Sequence, residues 1–145
     1  MTRWEVWLLH AGNVLVGATG LAYAWFRYFA RPLDEFSTVH PWQAPVQHAH
    51  VVVAPLLVFA IGMFWKAHAT TGLRSGYPER RRTGLTLLAA ATPMVLSGYL
   101  LQVAVEPVWR RAWIAVHVAA SALWLAVSAL HLLQRRRGTS PNARR

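Results

Sequence analysis

The chain is 145 residues long, 55% hydrophobic and only 14% charged, with 15 Lys and Arg against 5 Asp and Glu for a formal net charge of +10, and it has no cysteine. This composition excludes disulfides, thiolate-held clusters and any carboxylate-rich catalytic or metal site. The basic residues flank apolar runs instead of forming a patch on a soluble domain, which argues against nucleic-acid binding and makes anionic lipid headgroups their expected partners.

Four apolar runs reach the ~20 residues a helix needs to cross a hydrocarbon core. The first, Val6 to Phe26, is too long and too rich in Trp and Gly, with Asn13 at its centre, for a cleaved signal peptide; no small-residue cleavage site follows, so it is expected to be retained. It carries His10 early and Gly12, Gly17 and Gly20 further on. A loop over residues 27–45 follows, punctuated by Pro32, Pro41 and Pro45; Asp34, Glu35 and Trp42 offer a docking surface, and His40 is expected in solvent. Pro45 is placed to open the second helix.

The second run, Val46 to Trp65, begins with Gln47-His48-Ala49-His50 and contains Pro55. The basic segment Lys66 to Arg82, with His68, leads to the third run, Gly84 to Val105, which holds Pro93 and Gly98. Each internal proline predicts a kinked or loosened helix, tolerated where neighbours satisfy the freed carbonyl. Arg110 and Arg111 precede the fourth run, Trp113 to Leu133, which holds His117 and His131. The expected fold is all-α, an integral membrane four-helix bundle over residues 1–135 with a disordered basic tail at 136–145.

Most Lys and Arg lie at Arg3, in Lys66 to Arg82 and from Arg135 onward; the other two connections hold only Arg27, Arg31, Arg110 and Arg111. By the positive-inside tendency, both termini and the middle loop are cytoplasmic, as for a multi-pass protein of a bacterial inner membrane. Trp4, Trp7, Trp65, Trp109 and Trp113 fall at span ends, as interfacial anchors do.

This topology gives each histidine a depth. His10 enters near the cytoplasmic face and His131 lies four residues before the cluster Arg135 to Arg137, so the two are level. His48 and His50 lie at the outer end of helix two and His117 six residues beyond Arg111 at the outer end of helix four, so these are level too. His117 and His131 are fourteen residues apart, just under four turns, and share one helix face at levels ~21 Å apart. An isolated imidazole in a membrane helix ordinarily hydrogen-bonds a nearby Ser, Thr or carbonyl. Two depth-matched pairs point instead to bis-imidazole ligation of two hemes inside a bundle, and without cysteine these are b-type and held noncovalently. Met63 and Met94 are expected to pack in the core.

A histidine early in helix one, one near the start of helix two, and two at a spacing of fourteen on helix four resemble the bacterial cytochrome b561 family of diheme membrane proteins. The wider relatives of that family include the cytochrome b subunits of membrane hydrogenases and formate dehydrogenases. The likeness covers roughly residues 5–135 and rests on ligands and topology. It implies that His10 and His131 ligate the cytoplasmic-side heme, and His117 with a histidine of helix two the periplasmic-side heme. Here the sequence offers both His48 and His50, which point ~200° apart. His50 is preferred, being followed by Val51 and the small Ala54 and better matched in depth to His117; His48 is the alternative, interfacial and able to meet a propionate or a quinone. His68, five turns from His50, fits the spacing poorly.

Gly12, Gly17, Gly20 and Gly98 are candidates to admit porphyrin faces or close helix packing. Arg27, Arg110, Arg111 and Arg135 to Arg137 are candidates to pair with propionates. The expected function is electron transfer across the membrane between a quinone pool and a redox partner, with Asn13, His48, Tyr99 and Gln102 as candidate quinone contacts. Two alternatives stand beside it. The chain is the cytochrome b anchor of a larger complex with a periplasmic cytochrome or dehydrogenase subunit, or it is a transporter whose intramembrane histidines relay protons or bind a metal ion.

Overall fold

The computed structural model describes residues 3–65 and 78–137, with side chains described over 3–65 and 82–133. It contains four helices, α1 (Arg3–Tyr28), α2 (Gln43–Phe64), α3 (Pro78–Val103) and α4 (Pro107–Arg137), and no strand among the described residues. All four are long and apolar enough to cross a membrane. The chain is therefore all-α and a multi-pass membrane protein. Each helix runs a turn or so past its apolar run at one or both ends, because water and headgroups permit polar residues on a helix that continues beyond the hydrocarbon. His68 and residues 138–145 of the expected tail lie outside the described residues; Arg136 and Arg137, expected in that tail, continue α4.

The chain divides into two compact units, Met1–Thr71 and Gly72–Arg145. The first is the α1–α2 hairpin. Position 12 of α1 meets Leu57 of α2, and position 19 meets His50, so the helices run antiparallel. Gly12 is buried, and a Cβ there would stand 3.4 Å from the Leu57 Cα, so glycine makes room for the α2 backbone. Pro45 is the third residue of α2, within the first turn, where no backbone N–H is required. Pro55 lies inside α2, which continues through it to Phe64.

The α1–α2 connection is organised. Asp34 closes a turn by accepting the Phe36 N–H (2.9 Å) and the Ser37 hydroxyl (2.8 Å). His40, expected in solvent, is half-buried: its ring stacks on Phe26 at 4.7 Å and its Nδ1 accepts the Trp42 N–H. The α2 N-cap, Trp42, supplies no side-chain cap, and the His40 ring and carbonyl take the N–H groups of Trp42 and Gln43.

The second unit is the α3–α4 hairpin, again antiparallel: position 83 of α3 meets 131 of α4, and 97 meets 117. Only residues 104–106 separate the helices. Pro107 begins α4 at the position where a missing N–H costs nothing. The Arg110 guanidinium donates to the carbonyls of Leu101 (3.3 Å) and Ala104 (3.5 Å), groups the end of α3 leaves without intrahelical partners. Arg110 is thus a C-terminal clamp on α3, a role that its candidacy as a propionate partner did not anticipate. The buried side chains are Ala90, Ala91, Met94 and Ser97 on α3 and Ala120, Trp124 and Val127 on α4. Trp124 is level with Ala90 in this register, large against small. Met94 is in the core, as expected. Large apolar side chains such as Val14, Leu21, Val52, Leu96 and Leu130 stay exposed, as lipid-facing residues do.

The hydrogen bond from the Ser37 hydroxyl, followed by the backbone bonds, holds the Asp34 carboxyl below its ordinary value of 3.8. A depressed folded pKa means that the turn's contribution is present above the unfolded pKa and lost as pH falls through the folded one. On acidification below pH ~4, the Phe36 amide resonance should move along the Asp34 titration. In Asp34→Ala that transition should be absent.

Candidate functional site

The four preferred histidines are all half-buried, whereas His48 is exposed. Two residues apart on α2, His48 and His50 point in different directions, and the one turned toward α1 is His50. Its Nδ1 lies 3.0 Å from the Thr19 hydroxyl. That hydroxyl also lies within hydrogen-bond distance of the carbonyls of Leu15 (2.8 Å) and Val16 (3.2 Å) within α1. The Thr19 oxygen has lone pairs for an Nδ1–H, and its hydrogen can equally go to an unprotonated Nδ1, so this bond fits both tautomers of His50.

His117 repeats the arrangement in the second unit. Its Nδ1 lies 3.0 Å from the Met94 carbonyl and 3.2 Å from the Ser97 hydroxyl. A carbonyl can only accept, so at His117 Nδ1 is the protonated nitrogen and Nε2 carries the lone pair. Ser97 is fully buried and donates its hydrogen to the carbonyls of Pro93 and Met94. His131 meets α3 in the same way, its Nδ1 2.9 Å from the Thr83 hydroxyl. No hydrogen bond to His10 is present among the described residues.

Glycine completes two of these seats. A Cβ on Gly20 would come within 3.0 Å of the His50 Cε1, and one on Gly98 within 3.2 Å of the His117 Cε1. Gly20 and Gly98 thus admit the imidazole edges of the neighbouring helix, and Gly12 a neighbouring backbone. The common unit is a hydroxyl residue followed by glycine: Thr19-Gly20 facing His50, Ser97-Gly98 facing His117, and Thr83-Gly84 facing His131, although nothing approaches Gly84 within 4 Å. The two steps on α3 are fourteen residues apart, as are the two histidines on α4. That shared spacing was legible in the sequence, and Thr83 and Ser97 are site residues it would have identified; Thr19, on α1, has no such counterpart.

Within neither unit do two of the four histidines come together. In the first, the Thr19–His50 register puts His10 and His50 nine residues of rise apart, ~13.5 Å. In the second, His117 and His131 are ~21 Å apart. Side chains lean toward the N-terminus of their own helix, so two on antiparallel helices lean apart, which narrows this difference. Among the described residues of either unit, no three His, Asp or Glu form a group able to hold a metal ion with protein ligands alone. Of the candidate quinone contacts, Tyr99 is exposed and the Gln102 side chain donates to the Gly98 carbonyl at 3.4 Å. An open cleft beside them, at the α3–α4 turn, is lined by Leu100, Glu106, Trp109 and Trp113. No family model matches the chain, and no curated protein or solved structure matches it significantly.

The seats carry an expectation for stability. Gly20→Ala and Gly98→Ala should each cost about 1–3 kcal/mol by overpacking against an anchored ring. Gly62→Ala, where nothing lies within 4 Å, should be neutral or gain up to about 1 kcal/mol of helix propensity. Unfolding curves in mild detergent, compared across the three variants, check the contrast.

Proposed function

We propose that this chain is a diheme b-type cytochrome that carries electrons across a bacterial inner membrane between a quinone pool and a redox partner. The supporting observation is the state of His50 and His117. Each is turned toward a neighbouring helix and meets an oxygen at Nδ1, and at His117 the Met94 carbonyl leaves the lone pair on Nε2, the tautomer in which a metal-ligating imidazole is held. His131, anchored through Nδ1, and His10 complete the proposed ligand set. The pairs are those that depth implies, His10 with His131 and His50 with His117.

The residues fit the group: neutral imidazoles on apolar helices, small residues beside the rings, and no thiol. When bound, heme supplies one-electron redox chemistry. The chain's contribution is to hold the imidazoles in one tautomer and rotamer, keep water away with lipid-facing apolar side chains, and set the electron donation of each ligand. The cytoplasmic placement of both termini and the cytochrome b561 relationship belong to this same proposal; the anchor-subunit role is an alternative to it.

A second reading is favoured by the same bonds. Hydroxyl–imidazole contacts join helices by themselves, and a histidine–hydroxyl series is a route for protons, so a histidine-based transporter predicts identical partners.

A reduced-minus-oxidised spectrum with pyridine hemochrome quantification separates the two. The expected result is a b-type spectrum at about two hemes per chain, with His10→Ala and His131→Ala losing one heme and His50→Ala and His117→Ala the other. His48→Ala should keep both. A colourless protein, made with ample heme, overturns the cytochrome in favour of the transporter.

A further inference from the structure

We infer that the α1–α2 connection rests on the membrane: Leu33 and Phe36 enter the boundary between lipid headgroups and acyl chains, and the loop lies along the bilayer surface instead of docking a protein. This concerns the first hairpin alone and holds whether or not the chain carries heme. One stripe on α1 is the starting point. Trp7, Val14, Leu21 and Trp25 recur at i, i+7, i+14 and i+18, which places them on one helix face, and all four are exposed. In a multi-pass protein such a stripe faces lipid. Trp7 and Trp25 are 18 residues apart, ~27 Å along the axis and close to the ~30 Å thickness of a hydrocarbon core. Tryptophan favours the two interfaces, so Trp25 marks the level at which hydrocarbon gives way to headgroups.

The connection keeps to that level. Phe29, just past the end of α1, stacks on Trp25 with ring centroids 5.4 Å apart and is still 69% exposed, so the stripe runs on into the loop. At the far end of the loop His40 stacks on Phe26 at 4.7 Å, which brings the chain back beside α1 one residue from Trp25. Between these ties Leu33 is 71% exposed and Phe36 is 97% exposed. Phe36 does not sit on a slack tip. Asp34 accepts its N–H and the Ser37 hydroxyl, and the turn so closed leaves the ring in the open.

Phe29, Leu33 and Phe36 together form an apolar series held out of the hairpin, and the nearest apolar phase is the one that α1 already crosses. The headgroup layer is ~5–8 Å deep on each side, and Phe36 is four residues from His40, a chain length of at most ~14 Å. Phe36 is thus within reach of the boundary. Arg27 and Arg31, both exposed, flank the series and supply cations for lipid phosphates, while the Asp34 carboxylate is taken up inside the turn. Glu35 is exposed and suits a hydrated headgroup layer, not hydrocarbon, so the insertion is shallow. A loop made to dock a protein has no need to be tied at both ends to rings at the hydrocarbon boundary.

The chain has no cysteine, so Thr38→Cys places a single nitroxide label two residues from Phe36. The full chain is reconstituted in vesicles of phosphatidylcholine and phosphatidylglycerol. Electron paramagnetic resonance then compares the label's collisions with oxygen, which concentrates in lipid, and with a water-soluble nickel chelate. The expected label is oxygen-accessible and nickel-shielded, at a shallower depth than one on Val14→Cys. In the Thr38→Cys background, Phe36→Ser should raise nickel accessibility to that of a water-exposed site, and Phe36→Trp should leave it unchanged. The exposure of Phe36 lets the hairpin fold with either substitution. A nickel-accessible label with Phe36 in place overturns the inference in favour of a loop in water. A label shielded from both reagents overturns it in favour of a protein cover. A label that Phe36→Ser does not move also overturns it, since Phe36 then holds nothing in the bilayer.

Discussion

An imidazole between two apolar helices needs an acceptor for its N–H and space for its ring, and both have to come from the facing helix. In each hairpin one helix supplies a hydroxyl residue for the first need and a glycine, one position later, for the second. Together these requirements fix the register of α1 against α2 and of α3 against α4. A slip of one residue rotates the hydroxyl by ~100° and moves a Cβ into the ring. In a bilayer no water takes over the lost hydrogen bond, so the register is specified by polar satisfaction where a soluble bundle relies on apolar burial.

The rest of each hairpin follows from having lipid as solvent. Hydrocarbon tails are as apolar as leucine, so there is little to gain by burying large side chains, and the buried set is rich in small residues: Gly12, Ala60, Ala90, Ala91, Ser97 and Ala120. Pro93 deprives the carbonyl four residues before it of a backbone partner, and its own carbonyl accepts the Ser97 hydroxyl, so the loosened stretch of α3 is also where Ser97 and Met94 present oxygens to His117. The proline that interrupts a helix and the histidine that needs acceptors occupy one level.

A hydroxyl beneath an imidazole serves equally a histidine that joins helices and one that ligates a metal. The tautomer discriminates between them better than the presence of the bond. At His117, Nε2 is the basic nitrogen because the Met94 carbonyl can only accept.

The sequence by itself determined the four spans, because ~20 apolar residues have few other uses, and it determined the all-α class, because in lipid a helix satisfies its own backbone. It also singled out His10, His117 and His131 by their position on those spans, and preferred His50 to His48. Tertiary structure alone decided what each ring touches. Gly20 and Gly98 read as room for a porphyrin or for packing until the facing helix was in place; the rings of His50 and His117 then filled that room. That Arg110 donates to carbonyls at the end of α3 was settled only by packing, and His40 read as solvated until Phe26 came beneath it. Span and class depend on local composition, which a single segment carries. A contact depends on the register between two segments, and register emerges only when both are packed.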